Sequence, residues 1–225
     1  MNFVKFIKNL SITNWLIIVN VIVFIVISVL FAKNSNSINY FALSPIGILH
    51  WRYLWSIILH MFSHFYFIHL LVNMIALFSL GNFAEKIIGR KRFILAYLTS
   101  GLFAGILSVV LSGYFGYGFW GSRIFGAADI PMLGASGAIF GIAGLFVILL
   151  PRIKFSIIFL PWWGFDAYKI IPLFLVGFWV LSIALGWPIG NVAHAGGFIA
   201  GMAFGWYLKV KYKRKVALLQ RYFRQ

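Results

Sequence analysis

Two short motifs carry residue types that could do covalent chemistry. Gly134-Ala135-Ser136-Gly137 presents a serine, and Ala193-His194-Ala195-Gly196-Gly197 presents a histidine. A serine hydroxyl is a poor nucleophile until a base takes its proton, and an imidazole within hydrogen-bond reach is the usual base. Each motif alone also has a plain packing reading: a small-residue stretch whose hydroxyl bonds back to a carbonyl, and a structural histidine at a glycine-lined contact. A third group, His60, His64, His69 and Asn73, adds donors. His69 and Asn73 are four apart, hence on one helical face, and both could reach an oxygen on which negative charge develops. Three histidines in ten residues also suggest a metal, but the stretch has no acid and the chain has no cysteine. The expectation is therefore no metal and no cofactor. His60 and His64 are read as structural groups bonded to the outer loop, and Glu85 as a structural group bonded to loop donors near the inner end.

The elements that must position these residues are set by an unusual composition. Of 225 residues, 63% are hydrophobic and only 10% charged, against roughly a quarter charged in soluble domains. Such a chain could not cover a water-facing surface, so its solvent is a bilayer. The 19 Lys and Arg stand between long apolar runs rather than on one soluble face, which argues against nucleic acid as a partner. Only three acids exist: Glu85, Asp129 and Asp166. That scarcity excludes an intramembrane aspartyl protease, an HExxH metalloprotease and most proton-coupled transport.

Six segments are apolar enough to cross, at 15–32, 66–88, 93–112, 134–150, 170–186 and 191–208. The first is read as an uncleaved anchor, because it lacks a small-x-small cleavage site. The apolar run 54–88 is too long for one crossing. Gly89 and the cations Arg90, Lys91 and Arg92 mark its inner end, leaving 51–65 as an interfacial segment with Trp51, Tyr53 and Trp55 at headgroup level. With a cytoplasmic amino terminus, 16 of the 19 cations fall on inner segments, and only Lys33, Arg52 and Arg123 on outer ones. Both termini are thus expected in the cytoplasm. The whole of 1–225 reads as a single domain, all-α and polytopic: a bundle of six transmembrane helices with an interfacial segment in the first outer loop. Its basic tail, 209–225, serves to stop transfer and hold lipid headgroups.

Depth sharpens the chemistry. From Ser136 to Pro151 there is helix for only about 22 Å, against about 30 Å of hydrocarbon. Ser136 should therefore lie below the outer surface, at a helix N-terminus, in a pocket that water can enter. Gly197, Gly201 and Gly205 form one smooth stripe, and Gly137, Gly141 and Gly144 another, so these two helices are natural partners. His194, three before Gly197, stands on the edge of the stripe at the depth of Ser136.

Taken together, these residues resemble the rhomboid family of intramembrane serine proteases. The resemblance rests on Trp51-Arg52, the series His60, His64, His69 and Asn73, then Glu85 and Gly89, Gly134-Ala135-Ser136-Gly137, and Ala193-His194-Ala195-Gly196-Gly197, in family order over most of the chain. It implies a serine endopeptidase with Ser136 as nucleophile and His194 as base and later acid, a dyad without a carboxylate. It also implies an oxyanion hole from the Ser136 N–H, His69 and Asn73. Phe140 stands where some members carry Tyr against the histidine, keeping an aromatic wall without a hydroxyl. Substrates of similar enzymes are transmembrane helices cut near their outer ends, so the implied partners are membrane proteins and the bilayer. The fifth span and the 186–190 loop would be gate and cap. Two other functions compete: a non-proteolytic relative that binds and escorts membrane proteins, against which the intact Ser136 and His194 argue, and a transporter, which would need polar groups through the whole membrane. Six spans without an added domain or transit-like leader suggest a prokaryotic plasma or inner membrane, with the site opening outward.

Overall fold

The computed structural model describes residues 10–157 and 160–223. Lys5, Lys8 and Arg224, counted above among the inner cations, lie outside the described residues. The protein is an all-α membrane bundle. Its main helices are α1 (Ile12–Lys33), α2 (Phe67–Ile88), α3 (Arg90–Phe115), α4 (Gly118–Phe125), α5 (Ser136–Leu149), α6 (Ala167–Leu185), α7 (Asn191–Lys211) and α8 (Lys213–Tyr222). Four of them, α1, α2, α3 and α6, are long and apolar enough to cross a membrane, whereas α5 is apolar but has only 14 residues. Lipid is the natural solvent for their outer faces, which expose Ile22, Ile25, Val72, Leu173 and Val180.

The smooth helix faces read from the glycine spacing meet as expected. A Cβ on Gly197 would fall 1.8 Å from the Gly137 carbonyl oxygen, and one on Gly201 would fall 1.8 Å from that of Gly141. Helices α5 and α7 therefore touch backbone to backbone, the close approach that small residues allow where lipid gives no hydrophobic drive. Gly205 instead meets Leu145 and Ile148, and Gly144 meets Phe198 and Met202. Helix α3 completes this core through Ser100 and Ala104, which pack on Gly141 and Gly137.

At the end of the bundle opposite the start of α5, Glu85 holds the beginning of α1. Its carboxylate accepts from the Ile12 and Thr13 N–H groups and the Thr13 hydroxyl, each at 2.9 Å, and from Arg90 Nε at 3.3 Å. An acid at a helix N-terminus satisfies orphan donors and meets the positive end of the dipole. Glu85 is structural, but the expected loop donors are replaced by the first turn of α1 and by Arg90.

Several elements were not legible in the sequence. The connection between α3 and α5 contains α4, and that between α5 and α6 contains an antiparallel pair, β1 (Lys154–Ile157) with β2 (Leu160–Asp166), in which Lys154 pairs Asp166 at 2.8 Å. The basic tail folds into α8 and packs back on the bundle through Val216, Leu219 and Phe223. The interfacial segment is short turns rather than one helix, Ser56–Leu59 followed by His60–Phe62. Trp55 and Tyr53 form a ring cluster with Tyr40 there, and Trp51 is largely exposed.

Candidate active site

Three pieces of chain meet at the amino end of α5. The segment leading into it is pinned by the connection between α1 and α2: Leu43 and Met132 exchange backbone bonds of 2.7 and 2.8 Å, Ile46 N–H donates to Ala128, and Gly134 N–H donates to the His60 carbonyl at 2.9 Å. His64 Nε2 accepts from the Ala135 N–H at 3.3 Å. The His60 ring bonds the Ser56 carbonyl at 3.0 Å and fills the space over Gly105. Both histidines therefore sit in the scaffold that sets where α5 begins, the structural role their position suggested.

Gly134 turns the chain into the helix with φ of +130°, a conformation L side chains rarely adopt. A Cβ there would also strike the His69 ring, 2.8 Å from Cε1 and 3.0 Å from Nε2, while standing 3.7 Å from Ser136 Oγ. His69 and the serine hydroxyl thus flank one small space that a side chain on residue 134 would fill. Ser136 is the first residue of α5, and Ile139 is the first whose N–H reaches back to the carbonyl of Ala135. The N–H groups of Ser136, Gly137 and Ala138 are the orphan donors that every helix N-terminus leaves.

Opposite stands His194, on the first turn of α7. Its Nε2 lies 2.8 Å from Ser136 Oγ, and Phe140 stacks on its ring at 4.6 Å between centroids and 28° between planes. Ser136, Phe140 and His194 are all half-buried, so the pair is neither sealed in the core nor open to bulk solvent. No carboxylate stands third in line: Glu85 is at the other end of the bundle, Asp129 is exposed in the connection between α4 and α5, and Asp166 is paired in the hairpin.

Asn73 is buried one turn beyond His69 on α2, and one of its amide hydrogens is spent on the His69 carbonyl at 2.9 Å. Only the other remains for a ligand. His69 itself packs edge-on against His64, with centroids 5.0 Å apart.

The Rhomboid domain model matches residues 52–211. The chain belongs to the rhomboid family. Among rhomboid relatives, it is 33% identical over 155 residues to Rhomboid protein 1, mitochondrial, of Saccharomyces cerevisiae, covering 68% of this chain and 41% of that one. It is 31% identical over 152 residues to the human Presenilin-associated rhomboid-like protein, mitochondrial, covering 67% and 36%. It is 33% identical over 155 residues to the Rhomboid protease GluP of Bacillus subtilis, covering 67% and 24%. The matched part is thus less than half the length of each of these rhomboid relatives, one of which is named a protease.

The sequence missed how the rhomboid site is fastened to α6. Arg123 of α4 donates to the Ile183 carbonyl at 2.9 Å, and Trp179 Nε1 donates to the Ile124 carbonyl at 3.0 Å. Asn191, at the start of α7, donates to Ser182 Oγ at 2.6 Å. Helix α6 packs on α5, α7 and α4, and α2 is not among its extensive neighbours. The single basic residue between α3 and α5, Arg123, was the available signal, since a cation near the last turn of a helix meets its carbonyls and dipole.

Proposed function

We propose that this rhomboid is an intramembrane serine endopeptidase that hydrolyses a peptide bond near the outer end of transmembrane substrate helices. The observation that carries the reading is the 2.8 Å contact between His194 Nε2 and Ser136 Oγ at a helix N-terminus. His194 accepts the hydroxyl proton as Ser136 Oγ attacks the scissile carbonyl carbon. The tetrahedral oxyanion is met by the Ser136 N–H, His69 and the free amide hydrogen of Asn73, assisted by the helix dipole. As the C–N bond breaks, the proton on His194 passes to the leaving amine, and Ser136 keeps the acyl group. A water molecule, deprotonated by His194, then releases the acid and regenerates the serine. Phe140 holds the imidazole plane by stacking.

Six crossings, by α1, α2, α3, α5, α6 and α7, belong to the same reading, in a cell membrane with both termini cytoplasmic. The charge partition supports this orientation: Lys86, Arg90, Lys91, Arg92, Arg152, Lys154, Lys169 and the tail cluster share one side. Two of the three cations on the other side have local reasons to be there. Lys33 is in the last turn of α1, and Arg123 bonds a carbonyl near the end of α6.

A reporter with one transmembrane helix, incubated with the purified protein in liposomes, tests the reading. Mass spectrometry of the fragments should place the cut within about two turns of the outer membrane boundary. A cut confined to the soluble flanks, or at the inner end, would overturn it.

A further inference from the structure

The opposite end of the bundle holds a second arrangement that the proteolytic site does not use. A cleft of about 70 Å³ lies beneath α8. Its apolar wall comes from Ile88, Leu149, Leu208 and Leu219, and its polar side from Arg92, Tyr212 and Lys215. Arg92 is fixed in place: it donates to the Ile88 carbonyl and to the Tyr212 hydroxyl, both at 3.0 Å, and its guanidinium lies 4.6 Å from the centre of the Tyr212 ring. Yet none of these partners is an anion. Among the described residues the ion pairs are Glu85 with Arg90 and Lys154 with Asp166. The surplus field is felt locally, because the Arg92 hydrogen bond and the charges of Arg92, Lys211 and Lys215 hold the Tyr212 phenol below its ordinary pKa.

The cleft also sits at a recognisable height. Lys211 donates to the Tyr207 hydroxyl at 2.7 Å and lies over the Tyr207 and Tyr212 rings. A ribbon of alternating aromatics and cations, Tyr207, Lys211, Tyr212 and Arg92, therefore runs from the exposed surface of α7 to the cleft. Such residues collect at headgroup level, where a ring has one apolar and one wet side. Helix α8 fits the same plane: it buries Val216 against the bundle and leaves Leu218 and Tyr222 exposed, at 65% and 73%, beside Arg214 and Arg221.

We infer that this cleft binds an anionic phospholipid of the inner leaflet, its phosphate held by Arg92, Tyr212 and Lys215 and its first acyl carbons against Ile88, Leu208 and Leu219. The pre-oriented guanidinium fork suits phosphate oxygens. The apolar wall gives the lipid an advantage over free phosphate. By this account the basic tail is more than a diffuse counter-charge: α8 roofs a defined lipid site.

The test uses the full-length protein in nanodiscs of equimolar phosphatidylglycerol and phosphatidylcholine, with native mass spectrometry counting lipids retained after release. Wild-type protein should keep phosphatidylglycerol in preference to phosphatidylcholine. Arg92→Gln should lower that retention about tenfold, one charge-assisted contact's worth. Lys215→Gln, an exposed position where the fold is not at stake, should lower it about fivefold. Lys91→Gln, an equal loss of charge outside the cleft, should leave it unchanged. Equal losses in all three variants would overturn the site in favour of diffuse electrostatics, and equal retention of both lipids would overturn it outright. Complete displacement by millimolar inorganic phosphate would also overturn it, as a free-phosphate site. Proteolysis is not read, so the outcome is independent of the assignment of Ser136 and His194.

Discussion

The carbonyl oxygen of Gly137 in α5 lies 1.8 Å from where a side chain on Gly197 of α7 would begin. This contact determines the distance between Ser136 and His194, because each stands within one turn of it on its own helix. The proposed dyad is thus held by packing of two backbones and not by a third polar residue.

That relationship predicts the effect of one methyl group. Gly201→Ala places a Cβ 1.8 Å from the Gly141 carbonyl oxygen, and the helices must part. We expect destabilisation of about 1–3 kcal/mol and a loss of proteolysis larger than the loss of folded protein. Gly177→Ala on α6, which meets nothing within 4 Å, is the control and should be neutral. Thermal unfolding and reporter cleavage measured on the same samples check both.

The Glu85 clamp separates stability from chemistry. Glu85→Gln removes the charge that gathers Ile12, Thr13 and Arg90. A cost of about 2 kcal/mol is expected, lowering Tm by about 5 °C. Because the clamp lies at the other end of the bundle, turnover per folded molecule should stay within about twofold of wild type. A large fall in kcat with an unchanged Tm would contradict this division.

The proposed oxyanion donors make a kinetic prediction. His69→Ala should reduce kcat about 100-fold with little change in KM, since the donor acts on charge that exists only in the transition state. Asn73→Ala should cost less, because part of its amide is spent on the His69 carbonyl. Steady-state kinetics on a transmembrane reporter give both values, and a larger effect at Asn73 would reverse the assignment.

Helix α6 is tied to α4 by two hydrogen bonds, and releasing them should free it. Arg123→Ala or Trp179→Phe removes one bond each, worth about 1 kcal/mol. If α6 moves aside to admit substrate, the displaced form gains about fivefold. Cleavage of a transmembrane reporter should then rise, and a disulfide engineered between α6 and α4, which are in contact, should abolish the gain. An unchanged rate in both variants would argue that substrate enters elsewhere.

How much of this was legible in the sequence depended on the kind of force involved. Hydropathy and glycine spacing are local patterns, so the helices at 15–32, 66–88, 93–112, 170–186 and 191–208 appear within a few residues of Ile12–Lys33, Phe67–Ile88, Arg90–Phe115, Ala167–Leu185 and Asn191–Lys211. The partnership of the two glycine-lined faces followed from the same periodicity, and the shared level of Ser136 and His194 from counting residues along their helices, whereas the individual contact of Gly137 with Gly197 did not. What stayed hidden rests on partners distant in sequence. Arg123 reads as a stray outer cation until Ile183 is placed beside it, 60 residues away. The Arg92–Tyr212 contact, 120 residues apart, likewise turns a charge run into a shaped cleft. Helix α4 and the β1–β2 hairpin lie in aromatic, glycine-bearing loops whose composition favours no single element.

The central claim is that Ser136 attacks and His194 carries its proton. The most direct measurement is cleavage of a transmembrane reporter in liposomes by wild-type protein, Ser136→Ala, His194→Ala and the double variant. We predict that each single variant loses at least about 1,000-fold in rate and that the double variant is no worse than either, as for two residues acting as one unit. Undiminished cleavage by Ser136→Ala or by His194→Ala would contradict the account.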